Sequence, residues 1–242
     1  MPSCLVVQHV APEGPYGIGE ALRAVGVSVE RCRVFAGDAL PRDLSELDGV
    51  VVMGGPMSAT SDEGFATRSE EVDLLSSALS AQLPVLGICL GAQLLALAAG
   101  GQVFAGTAGQ EIGWHPITLT QESSSDPLFR GLGPSFEVLH WHGDTFSLPA
   151  EAVLLASSER YESQAFRTGA RAWGLQFHLE VDEGAVQAFL GAFGAEADAA
   201  GISSVALAEA SQRALGPLGP IRELVLSRFA ELVASFAEAR SR

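Results

Sequence analysis

A cysteine lies where a short apolar segment meets a helical pattern, in the sequence PVLGICLGAQLLALAAGG at residues 84–101. Gly87 and Gly91 flank Cys89 at the spacing of a nucleophile elbow, a sharp turn between a strand and a helix. Such a turn has no room for neighbouring β-carbons, and it places the cysteine at a helix N-terminus, which favours a thiolate. A lone cysteine is often a buried structural residue, but this spacing and context predict a nucleophile.

The other cysteines lack that context. Cys4 lies inside a predicted strand and Cys32 has no glycine spacing around it, so we expect both to be structural free thiols. A phosphatase-type cysteine would need an arginine six residues later, where the chain has Leu95.

A cysteine nucleophile needs a base that a third group orients. The segment GLQFHLEV supplies His178 and Glu180 at a spacing of two, which places both side chains on one face of an extended segment. In α/β-hydrolases the acid and the histidine come from separate loops, in the order nucleophile, acid, histidine. The order here therefore argues against a hydrolase of that type.

A glycine pair ends another buried strand, in the sequence VVMGGPMS at residues 51–58. Gly-Gly-Pro is often only a turn. Its amides could nevertheless face a substrate carbonyl together with the amide of Leu90, and two such donors would form an oxyanion hole.

Strand-like and helical patterns alternate in the first hundred residues and indicate a parallel sheet covered by helices on both faces. Ligands of such sheets bind at the carboxyl ends of the strands, which is where the glycine pair and Cys89 lie. The middle of the chain is richer in short strands, which indicates some antiparallel pairing. The last part is helical, and Pro220 is predicted to occupy the first turn of the final helix.

The composition of the chain argues against several classes of partner and of chemistry. The formal net charge is -15 and lysine is absent, so nucleic acid and membrane surfaces are not expected as partners, and Schiff-base chemistry is excluded. No apolar run approaches the roughly 18 residues of a membrane span, and the N-terminus lacks the basic segment of a secretory signal. We expect a cytoplasmic protein, with no spacing typical of metal ligands.

Taken together and in this order, GGPMS, GICLGAQLLALAAGG and FHLEV resemble the class I glutamine amidotransferases, the Cys-His-Glu glutaminases of GMP synthase and its relatives. The resemblance covers roughly residues 4–190 and implies a three-layer α/β sandwich with a mostly parallel, flavodoxin-like sheet and C-terminal helices. It implies that Cys89 is the nucleophile, that His178 is the base and acid, and that Glu180 orients the histidine. Gly55 and Leu90 would donate the oxyanion amides.

The same resemblance assigns Gln93 to the glutamyl group of the substrate, and we place Gly54 and His142 in the substrate cleft, although packing is an alternative role for His142. His9, His115 and His140 are expected to be structural. No metal or organic cofactor is implied.

We expect a catalytic domain over residues 1–195 and a helical extension over 196–242, which is too short for an ATP-using synthetase domain. The substrate would be glutamine or another γ-glutamyl compound, and a separate synthetase chain is a possible partner. Three interpretations stay open: an amidotransferase subunit, an independent γ-glutamyl peptide or amine hydrolase, and a non-catalytic regulatory module.

Overall fold

The computed structural model describes residues 1–241, and strands alternate with helices in its first half. The elements of this half are β1 Ser3–Gln8, α1 Tyr16–Ala24, β2 Ser28–Arg33, β3 Gly49–Val52, α2 Arg68–Ser80, β4 Val85–Ile88 and α3 Leu90–Ala98. Those of the second half are β5 Val103–Ala105, β6 Glu111–Leu119, β7 Ser135–His142, β8 Asp144–Phe146, β9 Val153–Ser157, β10 Ala165–Thr168, β11 Ala172–Leu175, α4 Glu183–Ala199 and α5 Ser204–Arg240.

Nine strands form one central sheet in the order β2-β1-β3-β4-β11-β10-β9-β6-β7. The first five strands pair in parallel and the remaining pairs are antiparallel, as expected from the many short strands in the middle of the chain. The order of β2, β1, β3 and β4 is that of flavodoxin-like sheets. The predicted α/β architecture is therefore confirmed.

Alternate residues of the parallel strands feed two separate cores, one on each face of the sheet. Along β1, Cys4 and Val6 contribute to the core beneath α1, α4 and α5, whereas Leu5 and Val7 contribute to the core beneath α2 and α3. This alternation is the period-two pattern of a strand that is buried on both faces, and it gives the three layers. No helix within residues 1–241 combines the length and the apolar character needed to cross a membrane.

The final helix differs from its prediction. Instead of starting at Pro220, α5 starts at Ser204, where the Ser203 hydroxyl accepts a hydrogen bond from the Ala206 amide at 3.2 Å. Both Pro217 and Pro220 lie inside the helix. An internal proline removes a backbone hydrogen bond and costs about 3 kcal/mol, which is why the sequence indicated a helix start.

Buried side chains offset that cost, because α5 carries apolar residues into the core both before and after the prolines: Leu207, Ala214, Leu218, Val225, Leu226, Phe229, Ala230 and Val233. The domain boundary predicted at residue 195 falls within α4. The division into a catalytic domain and a helical extension stays a prediction.

A two-stranded ribbon of β5 and β8 was not anticipated from the sequence. Each strand has three residues, too few for a hydrophobic period to be visible.

Candidate active site

Four parallel strands, β1, β3, β4 and β11, lie side by side and end at the same edge of the sheet. Each continues into a segment that lines a common cavity of about 230 Å³. The lining residues are Glu13, Gly55, Pro56, Met57, Ser58, Cys89, Leu90, Gln93, Gln110, Trp141, His142, Gly143, Asp144, His178, Phe189, Phe193 and Glu196. This position matches the rule that ligands bind at the carboxyl ends of the strands.

Cys89 lies between β4 and α3 with a φ of 51°, in the left-handed region that a residue with a side chain rarely adopts. A β-carbon on Gly87 would lie 2.4 Å from the Gly91 carbonyl oxygen, and one on Gly91 would lie 2.0 Å from the Val52 carbonyl oxygen. Both glycines are therefore required sterically, as the elbow spacing predicted. The turn leaves the Cys89 side chain buried but in contact with the cavity.

His178 also lines the cavity, and its Nδ1 lies 2.8 Å from the Glu180 carboxylate. The backbone amide of His178 donates to the Leu139 carbonyl at 2.8 Å, and Phe189 packs edge-on against the ring at 4.9 Å between centroids. Burial disfavours the charged imidazole, but Glu180 and the Cys89 thiol outweigh it, so the pKa of His178 is raised well above its ordinary value. The ring can therefore stay protonated at neutral pH.

The glycine pair after β3 is held by His9. The Nδ1 of His9 donates to the Gly54 carbonyl at 2.9 Å, and its Nε2 donates to the buried Glu71 carboxylate at 2.7 Å. Burial alone would lower the pKa of His9, but the hydrogen bond to Glu71 raises it overall. His9 therefore holds the backbone of the loop that is predicted to form part of the oxyanion hole. Gly55 of this loop lines the cavity together with Leu90.

A chain of amides connects the predicted glutamyl-binding residue to the thiol. Gln93 Nε2 donates to the Gln176 side-chain oxygen at 3.2 Å, and Gln176 Nε2 donates to Cys89 Sγ at 3.6 Å. Gln176 was not among the site residues predicted from the sequence. Its spacing of two from His178 was the available signal, because alternate residues of an extended segment share one face.

His142 lines the cavity, but both of its ring nitrogens have protein partners. Nδ1 lies 3.0 Å from the Asp144 carbonyl oxygen, and Nε2 lies 3.1 Å from the Glu111 carboxylate. The substrate-binding role expected for His142 stays a prediction, and the contacts suit a residue that shapes the cleft.

Glu111, His140 and His142 also form a buried cluster whose nitrogen and oxygen atoms lie within 4.8 Å of one another. Such a set could hold a metal ion. The same Glu111 oxygen, however, already accepts hydrogen bonds from Gln164 at 2.7 Å and Ser158 at 3.1 Å, and burial lowers the pKa of His140 to about 3. Burial opposes the charge of Glu111, but the histidines and the Ser158 hydroxyl around it outweigh that effect and lower the pKa of its carboxyl group to about 2. These contacts fit a structural hydrogen-bond network beneath the cavity.

The family model for class-I glutamine amidotransferases matches residues 15–193. The chain belongs to this family. It is 39% identical over 169 residues to the glutamine amidotransferase-like protein YfeJ of Salmonella typhimurium, a match that covers 68% of this chain and 70% of YfeJ. A solved glutamine amidotransferase from Thermotoga maritima is similar in structure with a TM-score of 0.86 and 33% identity, over 95% of this chain and 98% of that one.

The GMP synthase (glutamine-hydrolyzing) of Porphyromonas gingivalis is 38% identical over 152 residues, which are 62% of this chain and only 28% of the GMP synthase. The amidotransferase chain thus spans well under half the length of this relative. The resemblance of GGPMS, GICLGAQ and FHLEV to the amidotransferase family is confirmed.

Proposed function

We propose that this class I amidotransferase hydrolyses the γ-amide of glutamine or of a related γ-glutamyl compound through a thioester on Cys89. The observation that carries the proposal is the shared cavity: a cysteine on a strained elbow faces the same space as His178, whose ring Glu180 holds at 2.8 Å. A nucleophile, a proton carrier and an orienting carboxylate are the groups that acyl transfer from an amide requires.

In the proposed reaction, the Cys89 sulfur attacks the γ-carbonyl carbon, and a carbon–sulfur bond forms. The amides of Gly55 and Leu90 would stabilise the oxyanion; the Leu90 amide begins α3, and first-turn amides have no partner within their own helix. His178 would donate its proton to the leaving nitrogen as the carbon–nitrogen bond breaks. Water then cleaves the thioester, giving up a proton to His178 and releasing glutamate.

Gln93 and Gly54 are proposed to complete the substrate site. The Gln93 amide lies one turn after Cys89, lines the cavity and donates to the Asp144 carbonyl at 3.3 Å, which supports a contact with the glutamyl group. Gly54 is not among the residues that line the cavity; a β-carbon there would lie 1.9 Å from a Glu13 carboxylate oxygen, so the glycine makes room for Glu13 beside His178.

Transfer of the released ammonia to a separate synthetase chain is a second proposal. It is supported by the similarity to GMP synthase, whose name describes glutamine hydrolysis. A rise in glutaminase activity when cell extract is added to the pure chain, with a preference for glutamine over other γ-glutamyl compounds, would support it. Closure of the site by a docked partner is the physical reason for such a rise.

The hydrolytic proposal is tested by ammonia release from glutamine by the wild type, Cys89→Ala and His178→Ala. We expect both substitutions to reduce kcat by about a thousandfold or more, because members of a triad act as one unit. Circular dichroism checks that each variant is folded. If Cys89→Ala retains wild-type turnover, the proposal is wrong, and a wild type inactive on every γ-glutamyl compound, with and without extract, would favour the regulatory module.

A further inference from the structure

One carboxylate in the cavity has no role in the reaction above. Glu13 lies in the loop after β1, is only 5% exposed and lines the cavity, and it precedes the segment that matches the family model. A β-carbon on Gly54 would lie 1.9 Å from a Glu13 carboxylate oxygen and 3.1 Å from His178 Cε1. The carboxylate of Glu13 and the imidazole of His178 therefore adjoin the same point beside the glycine pair.

Glu13 differs from the two other carboxylates of the cavity in having no protein partner. Asp144 accepts a hydrogen bond from the Ser58 hydroxyl at 2.6 Å, and Glu196 accepts one from the Gln110 amide at 3.4 Å. Within residues 1–241, no hydrogen bond or ion pair reaches the side chain of Glu13, and no arginine lines the cavity. Burial raises the pKa of Glu13 to about 7, although His178 opposes that effect.

A carboxylate that is almost fully buried and has no protein partner is costly, because it loses most of its hydration and gains no hydrogen bond from the protein in return. A cationic ligand would supply the missing partner. Three carboxylates and no basic residue other than histidine give the cavity an electrostatic preference for such a ligand.

We propose that Glu13 binds a positively charged nitrogen on the leaving-group side of the substrate. The preferred substrate is then a γ-glutamyl amide of an amine that carries a second, cationic nitrogen. This inference rests on the proposed function, because it uses His178 as the group that protonates the leaving nitrogen. Glu13 adjoins His178, whereas Gln93, on α3, contacts Asp144 and Gln176.

The chemistry stays a hydrolysis. The carbon–nitrogen bond breaks as the thioester forms, His178 gives its proton to the leaving nitrogen, and water releases glutamate from Cys89. The second nitrogen of the amine keeps its proton throughout and pairs with Glu13. No oxidant or other co-reactant is needed.

The test compares the γ-glutamyl amides of putrescine and of n-butylamine, which differ in the distal ammonium. We expect the wild type to prefer the putrescine amide by about tenfold to a hundredfold in kcat/KM, the range of a charge-assisted hydrogen bond. In Glu13→Gln this preference should disappear while cleavage of the butylamide persists, which also shows that the variant is folded. Glu20→Gln, at an exposed position on α1, is the matched control and should keep the preference.

Equal cleavage of both amides by the wild type would overturn the inference and leave the proposed function standing. An equal loss of activity on both amides in Glu13→Gln would also overturn it, since Glu13 would then only position His178.

Glutamine and glutaramic acid, which lacks the α-amino group, form a further pair of test compounds. If Glu13→Gln changes their ratio instead, the bound cation is the α-ammonium and the leaving-group assignment is wrong. Failure of the wild type on all four compounds would count against the proposed function itself.

Discussion

At the scale of single residues, Glu180 controls the charge of His178. The two side chains are almost completely buried, and the carboxylate is the main group that raises the pKa of the imidazole against the effect of burial. In the proposed reaction the imidazolium is the acid that protonates the leaving nitrogen, so its loss at high pH limits turnover.

Glu180→Gln should therefore shift the basic limb of the pH profile of kcat to lower pH. The amide keeps a hydrogen-bonding shape but no longer stabilises the charged ring, so the pKa of His178 falls. We expect kcat to decrease less than in Cys89→Ala, because an orienting group contributes less than the nucleophile. The pH dependence of ammonia release measures both effects.

Glu183→Gln is the matched control, since Glu183 is exposed in the first turn of α4. It should leave the basic limb in place. A basic limb that stays unmoved in Glu180→Gln would show that another group sets it.

The elbow and the histidine segment could be predicted from sequence because each is a local pattern. The flanking glycines indicate the sharp turn at Cys89, because β-carbons at their positions would collide with the backbone, and the alternation of an extended segment brings His178 and Glu180 to one face. Glu13 could not be found in this way. Its place beside Gly54 depends on the neighbouring positions of β1 and β3 in the sheet, and no local spacing encodes that contact.

At the scale of elements, α5 supports the site from outside the cavity. Arg222 donates to the Val181 carbonyl at 2.7 Å, directly after Glu180, and the Gly17 amide of α1 donates to the Glu180 carbonyl at 3.1 Å. A β-carbon on Gly17 would lie 3.1 Å from Leu226 of α5. The two helices therefore hold the backbone of Glu180 from both sides. Arg222 follows Pro220 in the predicted final helix, but no local spacing connects it to Val181, so this contact could not be predicted from the sequence.

Removing the Arg222 contact should weaken catalysis while the fold persists. In Arg222→Gln the Val181 carbonyl loses its charged donor, so Glu180 is held less firmly, and we expect kcat to fall a few fold with KM nearly unchanged. Steady-state kinetics and thermal unfolding would be measured together. Arg213→Gln, exposed on the same helix, is the control, and an equal effect of both substitutions would mean that only helix stability matters.

At the scale of the whole molecule, the excess of acidic over basic residues is also found among the residues that line the cavity. The net charge is -15, and three carboxylates line the candidate site. Most acidic residues are exposed and well hydrated, so they add little cost to folding. Glu13 is different because it is buried and has no partner among the described residues, so its charge works against the folded state.

Glu13→Gln should therefore stabilise the protein at pH 8. Burial raises the pKa of Glu13 from 4.5 to about 7. Between pH 4.5 and about pH 7, the folded chain keeps a proton on Glu13 that the unfolded chain has released. The free energy of unfolding therefore decreases as the pH rises through this range, and it stays lower at higher pH. The cost at pH 8 is on the order of 3 kcal/mol, and the amide removes it.

Denaturant unfolding of the wild type and of Glu13→Gln at pH 5 and pH 8 measures the difference. At pH 5 most of the Glu13 carboxyl groups in the folded chain are protonated, so the two proteins should have similar free energies of unfolding; at pH 8 the variant should be more stable. Glu20→Gln should show no such dependence on pH. If Glu13→Gln is equally destabilising at both pH values, a protein group neutralises the charge of Glu13. The carboxylate would then not be available to bind a cationic ligand.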